Sequence, residues 1–310
     1  MQIHLDTDFA GDTDDAAALA MLLGWPDVEV VGITTTADPD GLRAGYVHSF
    51  LTLAGRDEIP VAAGAGASLK GSPMGTVPDH EAYWGDIGVS CRRSSEGDAV
   101  ELMATSVEHG ATIVGIGPYT NLAVLEAARP GTLAGARVVL MGGWLQAPAF
   151  GLPQWGPEMD WNVQCDTTAA MQLLEAAGAL TLVTLSATLT SHLRAVHVER
   201  LHASGRIGRL LARQARAHAA ENRMTELGRA HAGLPDDLLN FQYDPVACAV
   251  ALGWPGATTD PLTLQPIIDA GILRFAPVDD GKQVEVVLDV DGAAFADTWL
   301  AAIERADSRS

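Results

Sequence analysis

Short apolar segments alternate with longer, alanine-rich amphipathic segments along most of the chain, a pattern that predicts strands and helices in turn. The segments that predict strands are Ile3–Leu5, Val28–Thr35, Ala111–Ile116, Arg137–Met141 and Thr181–Leu185. The segments that predict helices are Asp14–Gly24, Leu42–Ala54, Ala99–His109, Asn121–Ala128 and Thr167–Ala177. This alternation favours the α/β class, with an open, mainly parallel sheet that is flanked by helices on both faces.

The last third of the chain departs from this alternation. Residues 196–239 have a helical, charge-rich pattern without a strand, and we interpret them as a helical insert. Val284–Val290 alternates apolar and polar residues, which indicates a late, antiparallel strand, and Ala293–Ala306 has the pattern of a C-terminal helix. Because no repeat or linker interrupts the chain, we expect residues 1–310 to form a single domain.

The charge balance excludes some classes of partner. The chain has 39 Asp and Glu residues against 19 Lys and Arg residues, a formal net charge of −20. This argues against a nucleic acid polymer or an anionic membrane surface as partner, since both attract clustered basic side chains. No apolar run reaches the roughly 18 residues of a membrane-spanning helix. No signal-peptide pattern or CxxC motif is visible, so we expect a cytoplasmic protein with reduced thiols.

Polar, acidic or glycine-rich segments follow four of the predicted strands. They are residues 6–15, 34–40, 117–121 and 141–143. Since ligands bind beyond the carboxyl ends of the strands in an open parallel sheet, we expect these four segments to line one crevice.

The segment after the first strand concentrates negative charge, with five carboxylates in ten residues. They are Asp6, Asp8, Asp12, Asp14 and Asp15. Such a group repels itself strongly unless a cation neutralises it, and its hard oxygen ligands favour calcium or magnesium over zinc. Capping of the following helix is the alternative, and it would account for one or two of the acids. The density of acids therefore favours a metal site.

Two further features bear on what the crevice binds. The pair Asp6 and Asp8 is also typical of haloacid-dehalogenase phosphatases, but these need Thr or Val where this chain has Ala10. The glycine-rich residues 64–72 lack the GxxxxGK[ST] spacing of a phosphate-binding loop. We therefore expect a neutral polyol as ligand, with a metal-dependent phosphatase of a small metabolite as an alternative.

Short motifs follow one another in a characteristic order along nearly the whole chain. After the aspartate cluster of residues 6–15 come Gly32-Ile33-Thr34-Thr35, Leu53-Ala54-Gly55-Arg56, Gly117-Pro118-Tyr119-Thr120-Asn121-Leu122-Ala123, Met141-Gly142-Gly143, Asp160-Trp161-Asn162-Val163 and Asp244-Pro245-Val246-Ala247. The set resembles the calcium-dependent, inosine-uridine-preferring nucleoside hydrolases, in the variant with two extra residues before the paired aspartates. The resemblance implies the fold of that family, an open Rossmann-like sheet.

The resemblance also implies roles for individual residues in binding and activating water. The carboxylates of Asp8, Asp15 and Asp244 would bind Ca²⁺ together with the backbone carbonyl of Ile116. Asp14 would be the general base that takes a proton from a calcium-bound water. With these residues, the protein is expected to hydrolyse the N-glycosidic bond of ribonucleosides to ribose and free base, as a step of nucleoside salvage.

Other matching positions would contact the substrate. The resemblance implies that Asn162 and Asp160 hold the ribose hydroxyls and that Gln154 and Met141 line the pocket. Trp84 precedes the segment that forms a mobile flap in the family, which makes it a candidate substrate contact. The bond cleavage passes through an oxocarbenium-like state, whose positive charge nearby carboxylates would stabilise. Calcium would chelate the 2′- and 3′-hydroxyls and lower the pKa of its water.

Three positions depart from the family pattern. Asp160 stands where the family usually has glutamate. The family's asparagine after the second strand is missing, and Asp38 or Asp40 lies near its position. Of these two, Asp38 is the candidate substrate contact. Tyr243 stands where the family often has a histidine, just before the last metal aspartate. In members that have it, that histidine is a candidate acid for protonating the leaving base. Tyr243 could donate a proton, stack on the base or only pack against its helix, so a non-catalytic nucleoside- or sugar-binding protein is a further alternative.

The remaining expectations concern other histidines and the assembly. Five histidines show no metal-ligand spacing and are interpreted as surface residues: His192, His197, His202, His218 and His231. The resemblance implies a homodimer or homotetramer that acts on a small-molecule nucleoside, and it leaves the preferred base open.

Overall fold

Eleven strands form two sheets in the computed structural model, which describes residues 1–309; Ser310 lies outside the described residues. Nine strands make a central sheet, and β7 and β8 make a small antiparallel one. The strands are β1 (Gln2–Thr7), β2 (Glu29–Thr35), β3 (Val61–Ala63), β4 (Thr112–Gly115), β5 (Arg137–Met141), β6 (Ala179–Val183), β7 (His192–Arg194), β8 (Leu238–Phe241), β9 (Ala257–Asp269), β10 (Ile272–Pro277) and β11 (Lys282–Val290).

Thirteen α-helices and two 3₁₀ helices (Pro157–Met159 and Ala195–His197) accompany the strands over the same residues. The α-helices are α1 (Asp14–Gly24), α2 (Leu42–Leu53), α3 (His80–Trp84), α4 (Glu96–Glu108), α5 (Thr120–Ala128), α6 (Trp161–Cys165), α7 (Thr167–Ala176), α8 (Leu185–Thr188), α9 (Val198–Ser204), α10 (Arg206–Glu221), α11 (Met224–Ala230), α12 (Tyr243–Ala251) and α13 (Gly292–Arg309). Within residues 1–309, no helix combines the length and the apolar character that a membrane crossing requires.

The central sheet has the strand order β10-β9-β11-β6-β5-β4-β1-β2-β3. Strands β1 to β6 run parallel to their neighbours and β11 pairs in parallel with β6, whereas β9 and β10 add antiparallel pairings. The order reverses between β1 and β4, because β2 and β3 lie on one side of β1 and β4 to β6 lie on the other. A reversal of this kind opens a crevice at the carboxyl ends of the two strands, and ligands bind in such crevices.

Two hydrophobic clusters cover the opposite faces of the sheet. Since successive side chains of a strand point to opposite faces, Val114 and Val139 belong to one cluster and Ile113 and Val138 to the other. The first cluster includes side chains of α1, α10, α12 and α13, and the second includes side chains of α4, α5 and α7. Both faces of the sheet are therefore buried, as a parallel sheet requires.

Helix α1, which begins with two of the predicted site residues, is buried over its whole length. A Cβ atom at Gly24 would lie 1.9 Å from the carbonyl oxygen of Ala302, so this glycine lets the end of α1 approach α13 closely. Trp299 of α13 donates a hydrogen bond from Nε1 to the carbonyl of Ala17 at 3.1 Å. The first and last helices of the chain thus pack into one core.

The predicted class and the alternation of strands and helices in the first two thirds of the chain are confirmed, with small differences in bounds. The predicted strand Thr181–Leu185 ends earlier, because Leu185 begins α8. The insert at 196–239 contains α9, α10 and α11, but it is wrong that it contains no strand, since β8 begins at Leu238 and pairs with β7. That short pairing has no sequence pattern of its own.

The carboxyl-terminal strands differ most from the expectation. The predicted antiparallel strand Val284–Val290 is β11, which pairs antiparallel with β9 but parallel with β6. The sequence pattern does not predict β9 or β10, because Pro261 and Pro266 interrupt the first of them. In an antiparallel ladder, only some residues of a strand donate an N–H group to the neighbouring strand. Proline has no N–H group, so β9 tolerates it at the other positions.

Candidate metal centre and active site

A cavity of about 700 Å³ lies at the carboxyl ends of β1 and β4, where the strand order reverses. The β1–α1 loop, the end of β4, the start of α6, helices α10 and α11 and the start of α12 contribute to its wall. The residues that line it are Asp8, Gly11, Asp12, Asp14, Asp15, Arg43, Gly75, Thr76, Ile116, Met141, Trp155, Met159, Asp160, Trp161, Asn162, Leu185, His218, Asn222, Met224, Leu227, Asn240, Tyr243 and Asp244.

The acidic β1–α1 loop is held by a buried cation from the neighbouring helix. Arg43 of α2 donates from Nη1 to the carbonyls of Asp8 and Phe9, the latter at 2.9 Å, and from Nε to the carbonyl of Ala37 at 3.0 Å. Ala10 adopts a left-handed backbone conformation, with φ of 67°, which turns the chain within this loop. The loop therefore presents its acids in a conformation that the rest of the fold determines.

Three buried carboxylates meet at the centre of the cavity. Asp14 and Asp15 lie in the first turn of α1 and Asp244 in the first turn of α12, and one oxygen atom of each lies within 4.8 Å of the others. The Asp244 backbone N–H donates to Asp14 Oδ2 at 3.2 Å, and the Thr7 hydroxyl donates to Asp15 Oδ1. The amino termini of two helices favour negative charge here, but they do not remove the repulsion among three acids.

The electrostatics of this cluster disfavour three bare charges. Burial, followed by the charge of neighbouring carboxylates, raises the pKa of Asp14, Asp15 and Asp244 well above the usual range of aspartate. Burial also raises the pKa of Asp8, although the charge of Arg43 opposes that increase. Either protons or a cation must therefore stabilise the cluster.

The donor set fits a hard divalent cation. Asp14, Asp15 and Asp244 offer only oxygen atoms, and Asp8 and Ile116 lie in the wall of the same cavity. Calcium binds six to eight such oxygens in flexible geometry, with carboxylates and backbone carbonyls as typical ligands. The cluster is thus a site that could hold a metal ion and that suits the chemistry of calcium.

A second wall carries hydrogen-bonding groups beside the acids. Asn162 Nδ2 donates to the carbonyls of Ile116 and Met141 at 2.9 and 3.0 Å, which ties α6 to the ends of β4 and β5. Asp160 Oδ2 accepts from the backbone N–H of Gly143 at 2.6 Å. Burial nevertheless raises the pKa of Asp160 to about 7. Polar groups of this kind suit a ligand with several hydroxyls.

The third wall contains Tyr243, at the first position of α12. Its ring packs 5.4 Å from the ring of Phe241, centroid to centroid, and no group within residues 1–309 hydrogen-bonds its hydroxyl. Burial and the charges of Asp12, Asp14 and Asp244 raise the pKa of Tyr243 well above its usual value. The phenol is therefore protonated at neutral pH.

The sequence matches the model of a known protein family over nearly its whole length. The model of the inosine-uridine preferring nucleoside hydrolases matches residues 3–297, which is nearly the whole chain. The chain belongs to this family. The resemblance carried by the ordered motifs is thereby confirmed.

Two individual relatives match parts of the chain. Pyrimidine-specific ribonucleoside hydrolase RihA of Salmonella paratyphi A is 33% identical over 206 residues, and the match covers 62% of this chain and 63% of the relative. The chain thus spans less than two thirds of the length of that curated relative. An uncharacterized protein of Schizosaccharomyces pombe is 29% identical over 245 residues, which cover 74% of this chain and 77% of the relative.

Solved structures of nucleoside hydrolases share the fold of this family member. A purine-preferring ribonucleoside hydrolase from Gardnerella vaginalis superimposes with a TM-score of 0.82 at 23% identity, and the match covers 99% of this chain and 100% of that one. The plant nucleoside hydrolase PpNRh1 gives a TM-score of 0.80 at 21% identity over 97% and 98% of the two chains. At these identities the likeness concerns the fold.

Most of the site residues that the sequence predicts come together in the cavity. They are Asp8, Asp14, Asp15, Ile116, Met141, Asp160, Asn162, Tyr243 and Asp244. Asp6, the first acid of the cluster, lies below the cavity, where its Oδ1 accepts from Thr34 and Asn121 at 2.6 and 2.7 Å. Asp6 therefore connects β1 to β2 and to the first turn of α5, and it is not among the residues that line the cavity.

Two predicted substrate contacts are not among the residues that line the cavity. Trp84 is buried at the end of α3, where its ring packs 4.7 Å from Tyr46 and 6.0 Å from Phe9, so its apolar surface is used in the core. Gln154 donates from Nε2 to carbonyls of its own loop, including Leu152 at 2.9 Å, which turns the amide away from the cavity.

Asp38, the third predicted contact outside the lining, is buried at the start of α2. Its carboxylate accepts from the backbone N–H groups of Arg43 and Ala44, each at 2.9 Å, and from the hydroxyl of Thr35 at 2.8 Å. These donors occupy the carboxylate and connect β2 to α2. The neighbouring Asp40 is exposed and forms an ion pair with Arg93.

The sequence pattern misses several residues of the site. The interpretation of His218 as a surface residue is wrong, because it is 9% exposed and lines the cavity. Arg43 and Trp161 also lie in the wall, and Trp161 Nε1 donates to Asp8 Oδ2 at 3.2 Å. The helical spacing of His218 in α10 could have indicated a buried face, whereas the positions of Arg43 and Trp161 depend on packing between distant segments.

Proposed function

We propose that this protein hydrolyses the N-glycosidic bond of ribonucleosides to give ribose and the free base. The observation that carries the proposal is the buried cluster of Asp14, Asp15 and Asp244 at the reversal of strand order, in a member of the nucleoside hydrolase family. The cluster adjoins a wall of hydrogen-bonding groups in a cavity of about 700 Å³, which is large enough for a nucleoside.

Asp8, Asp15 and Asp244, with the backbone carbonyl of Ile116, are the ligands that we assign to a calcium ion. A Ca²⁺ ion held there would chelate the 2′- and 3′-hydroxyls of ribose and lower the pKa of a water molecule. The raised pKa values of the carboxylates support this assignment, since a cation would stabilise the charged forms that burial disfavours.

Asp14 is the residue that we assign as general base. It lies within the acidic cluster, and its Oδ2 is held by the Asp244 backbone N–H. With a cation stabilising its charged form, the carboxylate of Asp14 would be able to take a proton from the attacking water. Such a base contributes about 10²–10⁴-fold to the rate.

The sugar would lie against α6 and the end of β5. Asn162 and Asp160 are buried and hydrogen-bonded to backbone groups, so they are held in place to bind ribose hydroxyls beside Met141. As the C1′–N bond breaks, positive charge develops on the sugar, and the surrounding carboxylates stabilise it.

The broader setting of the reaction follows from the family and the composition. We infer a cytoplasmic enzyme that acts in nucleoside salvage as a homodimer or homotetramer. Residues 1–310 would act as a single domain, since α1 and α13 from the two ends of the chain share one core. The relatives' names include both pyrimidine-specific and purine-preferring enzymes, so the proposal concerns ribonucleosides as a class.

Hydrolysis of p-nitrophenyl β-riboside by the protein, with calcium or with a chelator, tests the proposal. The nitrophenolate leaves without a proton, so the assay depends on the acidic cluster and on no leaving-group acid. We expect release of nitrophenol that the chelator abolishes, and release of base from at least one of inosine, uridine, cytidine and adenosine. No hydrolysis by folded, calcium-replete protein, with tight binding of unchanged nucleoside, would contradict the proposal and favour a binding protein.

A further inference from the structure

A histidine and a carboxylate face each other on the α10 side of the cavity. His218 Nδ1 lies 3.4 Å from Asp12 Oδ1, and both residues line the cavity. The side chain of His218 is 11% exposed and that of Asp12 is 35% exposed. This pair belongs to none of the roles assigned above.

The carboxylate of this pair is held from a third element. Asn240 of β8, which is buried, donates from Nδ2 to Asp12 Oδ1 at 2.7 Å and to the Thr13 hydroxyl at 3.0 Å. Asp12 therefore has a defined position, although it lies in a loop. It stands in the longer β1–α1 loop, two residues before Asp14, so the pair adjoins the proposed base.

The orientation of the histidine leaves one ring nitrogen available. Nδ1 faces Asp12 and also lies 3.2 Å from the amide Nδ2 of Asn222, one turn further along the helix. No residue between 1 and 309 hydrogen-bonds Nε2 of His218. These two neighbours of Nδ1 fix the orientation of the ring, while Nε2 is available to donate to a ligand.

The surroundings of His218 suit a nucleobase. Met224 and Leu227 of α11, the helix that follows α10, also line the cavity and offer apolar surface to a planar ring. The hydrogen-bonding groups for the sugar, Asn162 and Asp160, lie on α6 and at its start, in a different wall. A nucleoside whose ribose contacts α6 and the acidic cluster would therefore extend its base towards α10.

We propose that His218, positioned by Asp12, donates a proton from Nε2 to the leaving base; this inference rests on the proposed function. The electron pair of the C1′–N bond passes to the base, which takes the proton from Nε2 and departs neutral. Water adds its oxygen to C1′ and gives its proton to Asp14. Ribose and base are thus formed from nucleoside and water, Asp14 releases its proton to solvent, and His218 regains a proton from solvent. The family's histidine before the last metal aspartate is absent here, and α10 supplies a different one.

The test compares two leaving groups in matched variants. The rate constant kcat is measured for p-nitrophenyl β-riboside and for the most rapidly cleaved of four nucleosides, in the wild type, His218→Gln and Asp12→Asn. Only the nucleoside needs a proton on its leaving group. We expect the nucleoside-to-nitrophenyl ratio of kcat to fall by about 10²-fold or more in His218→Gln, and by a smaller factor in Asp12→Asn. His202→Gln, which changes an exposed histidine of α9, is the matched control.

Several outcomes would overturn the inference. Equal losses on both substrates in His218→Gln would mean that the residue only supports the structure of the cavity. An unchanged ratio in His218→Gln, with a large fall in Tyr243→Phe, would make Tyr243 the acid. Nitrophenyl cleavage by the wild type separates these results from failure of the proposed function, in which neither substrate is cleaved.

Discussion

Buried aspartates beside the amino termini of helices occur in two settings in this protein: some accept several backbone N–H groups, and others lie in the crevice between β1 and β4. Asp38, Asp166 and Asp307 lie beside the first turns of α2, α7 and α10, and each accepts hydrogen bonds from two or more backbone N–H groups. Asp14 and Asp244 are buried to a similar degree. Within residues 1–309, the Asp14 carboxylate accepts only one backbone N–H bond. The Asp244 carboxylate accepts no hydrogen bond from the same residues.

This difference separates carboxylates that stabilise the fold from carboxylates that need a ligand. A buried charge that accepts several N–H bonds is compensated by the protein itself. The crevice carboxylates have few donors and repel one another, so burial raises their pKa well above the usual range. The comparison teaches that donor count, more than burial, distinguishes the candidate metal centre from structural acids.

The largest effect that would sharpen this comparison is expected for Asp14→Asn. The variant keeps the shape of the side chain but cannot accept a proton, so kcat for p-nitrophenyl β-riboside should fall by about 10²–10⁴-fold. Thermal unfolding in chelator should show no loss of stability, because a poorly compensated buried charge is removed. A large fall in the melting temperature would instead place Asp14 with the structural acids.

Calcium is expected to act on the acids of the crevice and not on Asp38, Asp166 or Asp307. At a free concentration 100 times Kd, binding would raise the free energy of unfolding by about 2.7 kcal/mol. Asp244→Asn should abolish this increase, whereas Asp166→Asn should retain it from a lower starting stability. Unfolding experiments with and without calcium measure both quantities. An unchanged calcium effect in Asp244→Asn would remove this residue from the metal centre.

The opposite result is expected when a helix-terminal acid is removed. Asp38→Ala leaves the backbone N–H groups of Arg43 and Ala44 without their acceptor, so the free energy of unfolding should fall by about 1–3 kcal/mol. Denaturant titration in the presence of chelator measures the difference from the wild type. If KM for nucleosides rose while stability stayed constant, Asp38 would belong to the substrate site, as the resemblance had suggested.

Asp160 is an intermediate case, and its effect should appear as a pH dependence. It accepts hydrogen bonds from the N–H groups of Gly143 and Val163, at 2.6 and 3.4 Å, yet burial raises its pKa to about 7 from an ordinary value of 3.8. The folded chain therefore favours the protonated form of Asp160. The stability that this preference gives is fully present below pH 3.8 and is lost as pH rises through 7. The slope is at most about 1.4 kcal/mol per pH unit.

Metal-free Asp160→Asn should consequently lose less stability than the wild type between pH 5 and pH 8. Denaturant titrations of both proteins across that range, in chelator, measure the difference. Parallel stability profiles for the two proteins would show that Asp160 is charged at neutral pH and is as well compensated as the acids at the helix termini.

Much of the fold could be predicted from local sequence patterns. Hydrophobic periodicity extends over only a few residues, so it located β1, β2, β4 and β5 and the helices between them. The five acids after the first strand indicated a metal site for a similarly local reason, because Asp14 and Asp15 are adjacent and repel each other in any fold. The resemblance of ordered motifs added Asp244, which lies 230 residues from Asp14.

Only the tertiary structure decided which of the acids face a ligand and which other residues join them. Asp6 and Asp38 look like Asp8 and Asp14 in sequence, but packing of α2 gives Asp38 two backbone donors, and packing of β2 and α5 gives Oδ1 of Asp6 two side-chain donors. The pairing of His218 with Asp12 depends on α10 lying against the β1–α1 loop. Contacts of this kind join segments some 200 residues apart, and no local pattern specifies them, because they arise from how the helices pack around the sheet.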